Sequence, residues 1–245
     1  MSLKVVFMGT PEFAVPSLDI LIKNKINIVK VYTQPPQKSK RGQKINSSSV
    51  EQFCKRNKID IHNPITLNNK KELNYFKNIL ADIVVVVAFG QIIPKDILDI
   101  PKFGFINVHA SLLPKWRGAA PIQRAIMNRD KKIGVSIMKI EEKLDSGPIL
   151  KSKEFDLDQN ATHGEIEKYL SGVGAKLLVE SLQNIENKSP KLIKQIDLEA
   201  TYAKKIDKNE TKINWNQDAY RVLAHIHGLS PKPGAWFEYQ KERFK

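Results

Sequence analysis

One run of residues constrains the fold of this sequence more than any other, the seven residues IVVVVAF at positions 83–89. Seven residues are far fewer than the about 20 that a membrane-spanning helix needs. β-branched residues dominate the run and Gly90 follows it, which is typical of a strand that is buried on both faces. Because such strands belong to parallel sheets covered by helices, the run predicts an α/β domain.

The rest of the chain alternates between strand-like and helix-like segments. Strands are predicted at LKVVFMG, INIVKVYT, IDIHN, FGFINVH and GVSIMKI and near 149–155, with helices between them and a long one over about 162–185. This order predicts a Rossmann-like open, mostly parallel sheet with helices on both faces. Thr10 is expected to cap a helix whose first turn holds Pro11 and Glu12. The strands are followed by neither a GxGxxG dinucleotide fingerprint nor a P-loop.

Cysteine content and the first residues indicate the cellular setting. The sequence holds a single cysteine, Cys54, so an intrachain disulfide is excluded and a metal site has no thiolate pair. The opening MSLKVVFMGTPEF lacks the apolar segment of a secretory signal. We therefore expect a cytoplasmic, monomeric protein that does not associate with a membrane.

Positive charge is concentrated in one part of the chain. The formal net charge is +14, and residues 23–78 hold 13 Lys or Arg against three Asp or Glu. A Lys-rich composition can arise without selection for a partner, but a charge confined to one segment is typical of a surface that binds a polyanion such as nucleic acid. The same segment contains QPPQKSKRGQKINSSS, a predicted loop of about 16 residues, and loops of that length are usually functional or disordered.

The chemistry is indicated by the predicted strand FGFINVH. Side chains two positions apart on a strand share a face, so Asn107 and His109 point to one place at the carboxyl end of a strand, where open α/β sheets bind ligands. Asp145, in the loop segment KLDSGPIL, is expected at the same edge. An amide that donates to an oxyanion, an imidazole and a carboxylate together suit acyl transfer without a covalent intermediate.

Each of these residues also has an ordinary structural interpretation. Asn107 and His109 could be a satisfied polar pair, and Asp145 before Ser-Gly could be a turn residue. Ser111 lies outside any GxSxG elbow, which makes it a weak nucleophile candidate. We interpret Trp116 and Cys54 as packing residues. The remaining histidines are interpreted as structural or surface residues, and they are His62, His163, His225 and His227.

Long motifs identify a resemblance to a known family. NVHASLLPKWRGAAPIQRAI, followed by LDSGPIL, resembles the signature of the 10-formyltetrahydrofolate-dependent formyltransferases. Within that family, the chain is most similar to the members that act on methionyl-tRNA. The segments that carry this similarity are FMGTPEFAVPSL, TQPPQKSKRGQK, VVVAFGQIIP and ATYAKKIDKNETKINW.

The resemblance implies roles for particular residues. It makes Asn107, His109 and Asp145 catalytic, with a folate co-substrate as formyl donor and no metal. The residues that it places along the folate are Val87, Ala88, Phe89, Gly90, Gln91, Ser111, Leu112, Leu113 and Pro114. The residues that it places at the acceptor end of initiator tRNA are Lys38, Lys40, Arg41 and Lys44.

The resemblance also implies a domain organisation. We expect a catalytic domain over 1–190, a linker over 191–206, and the incomplete start of a C-terminal tRNA-binding domain, an OB-type β-barrel, over 207–245. The implied activity is transfer of the formyl group to the α-amine of methionyl initiator tRNA. Three alternatives stay open: formyl transfer to an amino sugar or glycinamide ribonucleotide, a hydrolase that releases formate, and a non-catalytic RNA-binding protein.

Overall fold

The computed structural model describes residues 2–38 and 45–245. The strands are β1 (Val5–Gly9), β2 (Ile28–Tyr32), β3 (Gln37–Lys38), β4 (Ile45–Asn46), β5 (Ile61–His62), β6 (Ile83–Val87), β7 (Phe105–His109), β8 (Arg117–Gly118), β9 (Lys132–Lys139), β10 (Ile149–Asp156), β11 (Tyr202–Ala203), β12 (Phe237–Tyr239) and β13 (Glu242–Phe244). The α-helices are α1 (Val15–Lys23), α2 (Ser49–Arg56), α3 (Lys70–Ile79), α4 (Lys95–Leu98), α5 (Pro121–Met127), α6 (His163–Glu186) and α7 (Ala219–Leu229).

The main sheet has seven strands in the order β10-β9-β7-β6-β1-β2-β5. The five strands from β7 to β5 are parallel, whereas β9 runs antiparallel to β7 and β10 runs antiparallel to β9. The predicted open, mostly parallel sheet is therefore confirmed. Parallel strands align their carboxyl ends at one edge. β9 ends beside the start of β7, where Lys139 pairs with Ile106, so the loop between β9 and β10 begins at the other end of β7.

Helices cover the sheet on both faces, as the fully apolar strands require. Along β1, Val5 and Phe7 belong to one buried cluster and Val6 and Met8 to the other, because successive side chains alternate between faces. The first cluster includes buried residues of α1, α2, α5 and α6, and the second includes residues of α3 and α4. Residues 83–87 of the apolar run alternate between the two clusters in the same way, whereas Ala88 is exposed.

The beginning of α6 follows from a sequence signal. The Thr162 hydroxyl accepts from the Glu165 backbone, and the Glu165 carboxylate accepts from the Thr162 backbone, which is a capping box. The helix then crosses β7 so closely that a Cβ at Gly174 would lie 2.7 Å from Val108 Cγ1. A glycine is therefore required at this crossing, and it brings the first turn of α6 close to the carboxyl end of β7.

The expected cap at Thr10 is wrong. The Thr10 hydroxyl donates to the Phe89 carbonyl at 2.7 Å, and a 3₁₀ turn over Glu12–Ala14 precedes α1. Pro11 is extended, with φ −79° and ψ 178°, and this turns the hydroxyl away from the helix and towards the segment after β6. Thr10 thus joins the ends of two adjacent parallel strands.

The segment after α6 returns across the domain rather than leading away from it. β11 pairs in parallel with β8, and Ile193 bridges to Ile149. α7 packs against α5, and a Cβ at Gly228 would lie 2.9 Å from Met127 Cγ, so the two helices are in close contact. Over the ranges 2–38 and 45–245, the helices are too short or too polar to cross a membrane.

The Cys54 thiol is expected to be unreactive in the folded protein. It is fully buried on α2, and burial, followed by the charge of Glu51, raises its pKa to about 11. At pH 8 only about one thiol in a thousand would be the reactive thiolate. A chromogenic disulfide reagent at pH 8 should label the native chain negligibly and the denatured chain with one equivalent. Rapid labelling of the native chain would contradict this burial.

Candidate active site

The ends of three adjacent strands define one edge of the site. Gly9 at the end of β1 pairs with Val87 at the end of β6, and Val86 pairs with Asn107 on β7. A cavity of about 420 Å³ opens at this edge, and Asn107, His109 and Asp145 all line it. The structure therefore brings together the three residues that the sequence analysis singled out, and it does so where open α/β sheets bind ligands.

The side-chain amide of Asn107 lines the cavity without a hydrogen-bond partner among the described residues. Its side chain is partly exposed and makes no hydrogen bond to the described part of the chain. The amide can therefore donate to a ligand without breaking an existing interaction. A donor that is free and held on a strand suits the stabilisation of a negative charge that develops on a ligand oxygen.

His109 is 5% exposed and is fixed through one of its ring nitrogens. Nε2 lies 2.9 Å from the Trp116 carbonyl oxygen, and because a carbonyl only accepts, Nε2 is the donor. Nδ1 lies 3.7 Å from Asp145 Oδ2. Nδ1 is thus the nitrogen that faces the carboxylate, and it is available for hydrogen bonding or proton transfer at the cavity.

Asp145 reaches the imidazole from the loop after β9. Its Oδ2 atom accepts from the Gly118 backbone N–H at 2.8 Å. Its backbone has φ +46°, the left-handed region that residues other than glycine rarely adopt. Such a conformation persists where the surroundings hold it, and it clusters at functional sites.

The Ser-Leu-Leu-Pro turn has a clear structural role. Ser111 Oγ donates to the Lys115 carbonyl at 2.6 Å, and Ser136 Oγ donates to the Ser111 carbonyl at 2.8 Å. Leu113 is buried in a small cluster with Met138 and Ile149. These contacts place the chain so that the Trp116 carbonyl meets the His109 ring.

The residues that the resemblance placed along the folate lie in different surroundings, some on the cavity wall and others in the core or beside a second cavity. Ala88 and Gly90 line the cavity with Asn107, whereas Val87 and Phe89 are buried in the core. The Gln91 side chain donates to the Pro64 carbonyl at 2.8 Å. Three of the turn residues line a separate cavity of about 460 Å³ beside Trp116 and Asp130, and they are Ser111, Leu112 and Pro114.

The predicted tRNA contacts cannot be placed. Lys40, Arg41 and Lys44 lie outside the described residues, and so does the side chain of Lys38, whose backbone ends β3. Their role stays a prediction.

Two residues of the cavity wall were not predicted to face the site, since His163 was interpreted as a structural or surface residue and Glu167 was not singled out. His163 and Glu167, one turn apart at the start of α6, line the cavity opposite the strand ends. Burial lowers the pKa of His163, whereas burial and the neighbouring Glu12 raise the pKa of Glu167 against the opposing effect of Lys232. The capping box predicts where α6 begins, but no nearby sequence feature predicts that its first turn faces the cavity.

Metal binding finds no support among the residues that the structure describes. They include no group of three or more His, Cys, Asp or Glu side chains that could hold an ion. His225 and His227 lie on α7 and are not among the residues that line the cavity.

Comparisons with known proteins agree with this geometry. A family model described as formyl transferase matches residues 3–182, and one described as formyl transferase, C-terminal domain, matches residues 205–245. A methionyl-tRNA formyltransferase of Pelagibacter ubique is 49% identical over 246 residues, which cover 100% of this chain and 79% of that protein. Two solved structures have the same fold.

The first solved structure is a 4-N formyltransferase from Francisella tularensis, with a TM-score of 0.76 and 20% identity, and the match covers 98% of this chain and 95% of that one. The second is an N-formyltransferase from Helicobacter canadensis in complex with folinic acid and dTDP-3-aminofucose. Its TM-score is 0.70 at 22% identity, with 92% of this chain and 80% of that one covered.

Proposed function

This chain belongs to the methionyl-tRNA formyltransferase family, and on that premise we propose that it transfers the formyl group of 10-formyltetrahydrofolate to the α-amine of methionyl initiator tRNA. The observation that carries the proposal is the convergence of Asn107, His109 and Asp145 on one cavity at the strand ends. Membership of the family establishes a formyl-transferring enzyme, and the folate donor, the tRNA acceptor and the residue roles are the proposal.

The first step forms a tetrahedral intermediate. The α-amine nitrogen attacks the formyl carbon, a new N–C bond forms, and the formyl oxygen becomes negatively charged. The Asn107 amide donates to this oxygen, and a protonated His109 donates through Nδ1, since Nε2 is held by the Trp116 carbonyl. Donors fixed before the reaction stabilise the developing charge without having to reorganise.

The second step breaks the bond from the formyl carbon to N10 of the folate. The attacking nitrogen loses a proton and N10 gains one, so the reaction needs a group that can pass a proton between them. Asp145 Oδ2 lies 3.7 Å from His109 Nδ1, at the edge of the cavity where the two nitrogens would exchange the proton. We assign the proton transfer to Asp145, acting through a bridging water.

The residues of the cavity wall support a proposed position for each of the two substrates. Ala88 and Gly90 belong to the segment after β6, and both have positive φ values, which expose backbone groups beside Asn107. We place the folate along this segment. His163 and Glu167 form the opposite wall and border the approach of the amine.

Charge distribution supports a tRNA acceptor over a small amine. The net charge of +14 and the excess of Lys and Arg over residues 23–78 give a polyanion an extensive attractive surface, which a small amino sugar does not need. We retain the division into a catalytic domain over 1–190, a linker over 191–206 and a tRNA-binding unit over 207–245 as part of this proposal.

The experiment that tests the proposal measures formyl transfer from 10-formyltetrahydrofolate to methionyl initiator tRNA. Free methionine and a nucleotide-linked amino sugar serve as competing acceptors under the same conditions. We expect formylation of the charged tRNA alone. Formylation of the amino sugar without the tRNA would assign a different acceptor, and loss of the formyl group to water in every mixture would identify a hydrolase.

A further inference from the structure

The segment after α6, which includes the predicted linker, is hydrogen-bonded to the loops that support the site. Ile193 exchanges both backbone hydrogen bonds with Ile149 at the start of β10. The Arg117 N–H donates to the Thr201 carbonyl, and the Ala119 N–H donates to the Ala203 carbonyl, each at 2.8 Å. The segment is therefore tied to both of the loops that support His109 and Asp145.

Gln195 lies between Ile193 and Thr201 and is 7% exposed. Both the nitrogen and the oxygen of its side-chain amide are hydrogen-bonded. Nε2 donates to the Asp145 carbonyl at 2.9 Å and to the Gly147 carbonyl at 2.7 Å. Oε1 accepts from Arg117 Nε at 3.1 Å and from Arg117 Nη2 at 2.9 Å. If the amide were flipped by 180°, its NH2 group would face the N–H groups of Arg117 and its oxygen would face the two backbone carbonyls. Only one orientation of the amide therefore satisfies these partners.

The hydrogen bonds of Gln195 hold the backbone of Asp145, whereas the Gly118 N–H holds its carboxylate. The Gly118 N–H holds Oδ2, and the Gln195 amide holds the carbonyl of the same residue, whose backbone has φ +46°. A side chain in this backbone conformation keeps its direction only while its surroundings determine it. The distance of 3.7 Å from Asp145 Oδ2 to His109 Nδ1 depends on that direction.

We infer that Gln195 is a positioning residue for formyl transfer. It holds the backbone of the Asp145 loop and thereby fixes the position of the carboxylate that faces His109. The inference rests on the proposed function, in which Asp145 acts in proton transfer. It also assigns a role in the reaction to a residue that lies 50 positions from Asp145 in the sequence and outside every motif identified there.

A purely structural role for Gln195 is the competing explanation. Arg117 is 3% exposed, and it bonds Gln195 and Asp197. Gln195 could therefore serve only to satisfy a buried guanidinium. The two roles use different atoms, because the Oε1 atom serves Arg117 whereas the Nε2 atom serves the Asp145 loop.

The replacement Gln195→Glu separates the two roles. A glutamate keeps the side-chain length and the acceptors for Arg117, but it has no donor for the Asp145 and Gly147 carbonyls. Gln195→Met removes both sets of contacts. Asp197→Asn is the matched control, because it weakens an Arg117 contact at a side chain that is 69% exposed and that makes no hydrogen bond to the Asp145 loop within the described residues.

We expect Gln195→Glu to lower kcat for formyl transfer by about 10- to 100-fold, since a displacement of about 1 Å can cost that much. The KM for the folate should change by less than about threefold, and the Tm should stay within about 4 °C of wild type. Asp197→Asn should keep kcat within about twofold of wild type.

Near-normal kcat in Gln195→Glu, with a loss only in Gln195→Met, would overturn the inference and leave Gln195 as a support for Arg117. A fall in Tm that accounts for the lost activity would overturn it as well. The wild-type chain is measured in parallel. Its failure to transfer a formyl group would reject the proposed function itself, and an active wild type makes the result for Gln195 specific.

Discussion

Replacement of Asn107 by alanine is expected to lower kcat for formyl transfer by about 10²–10³-fold, the usual cost of losing one oxyanion donor. The Asn107 amide makes no hydrogen bond to the described residues, so its removal leaves no partner unsatisfied in the protein. Folate affinity and Tm should therefore change little. Steady-state kinetics, together with folate binding by fluorescence or calorimetry, separates the loss of chemistry from a loss of binding.

The matched control for this variant is Asn78→Ala, an exposed asparagine on α3 that does not line the cavity. It should keep wild-type kcat. If Asn107→Ala kept more than about a tenth of wild-type kcat, the assigned oxyanion role would be wrong. An equal loss in the control would point to a general effect of the substitutions on folding.

Replacement of Asp145 by asparagine is expected to lower kcat by about 10²-fold while preserving the fold. An asparagine oxygen can still accept from the Gly118 N–H, but the negative charge beside His109 is lost. The variant also removes the carboxylate that we assign to proton transfer.

The control for this prediction is Asp96→Asn, which removes the same charge at an exposed position on α4. Single-turnover kinetics with saturating folate and charged tRNA would measure the chemical step directly. A rate for Asp145→Asn within about threefold of wild type would show that proton transfer does not pass through this carboxylate. A large fall in Tm would show instead that the charge is needed for folding.

The two variants test different steps of one mechanism. In the proposed mechanism, Asn107 donates to the oxygen of the formyl group, whereas Asp145 acts through His109 and on the proton that leaves the amine. If both variants lose activity and keep folate affinity, the alternative of a non-catalytic RNA-binding protein is excluded, because it does not explain a selective loss of turnover.

The central part of the site was predictable because it depends on local geometry. Asn107 and His109 are two residues apart on a strand, and the period of a strand alone places them on one face. The apolar run at 83–89 and the alternation of strands and helices predict the sheet, and an open sheet of this type predicts the edge at which ligands bind. Asp145 was the one catalytic assignment that needed the strand order as well.

Other parts of the site depend on contacts between distant segments. His163 and Glu167 line the cavity because α6 crosses β7 at Gly174, and Gln195 reaches Asp145 because β11 pairs with β8. The expected cap at Thr10 failed for a related reason, since its hydroxyl found a partner after β6 that is 79 residues away. Composition and periodicity report on neighbours along the chain, and they do not specify such partners.

The sequence by itself determined the α/β architecture, the strand that carries Asn107 and His109, and the motifs that identify the formyltransferase family. Side-chain periodicity and turn chemistry act over a few residues, so they can be read directly from the order of amino acids. Only the tertiary structure decided which His109 nitrogen faces the cavity, how the Asp145 backbone is held, and that the segment predicted as a linker supports the site. Those properties arise where residues that are far apart in the sequence are brought within hydrogen-bonding distance by packing.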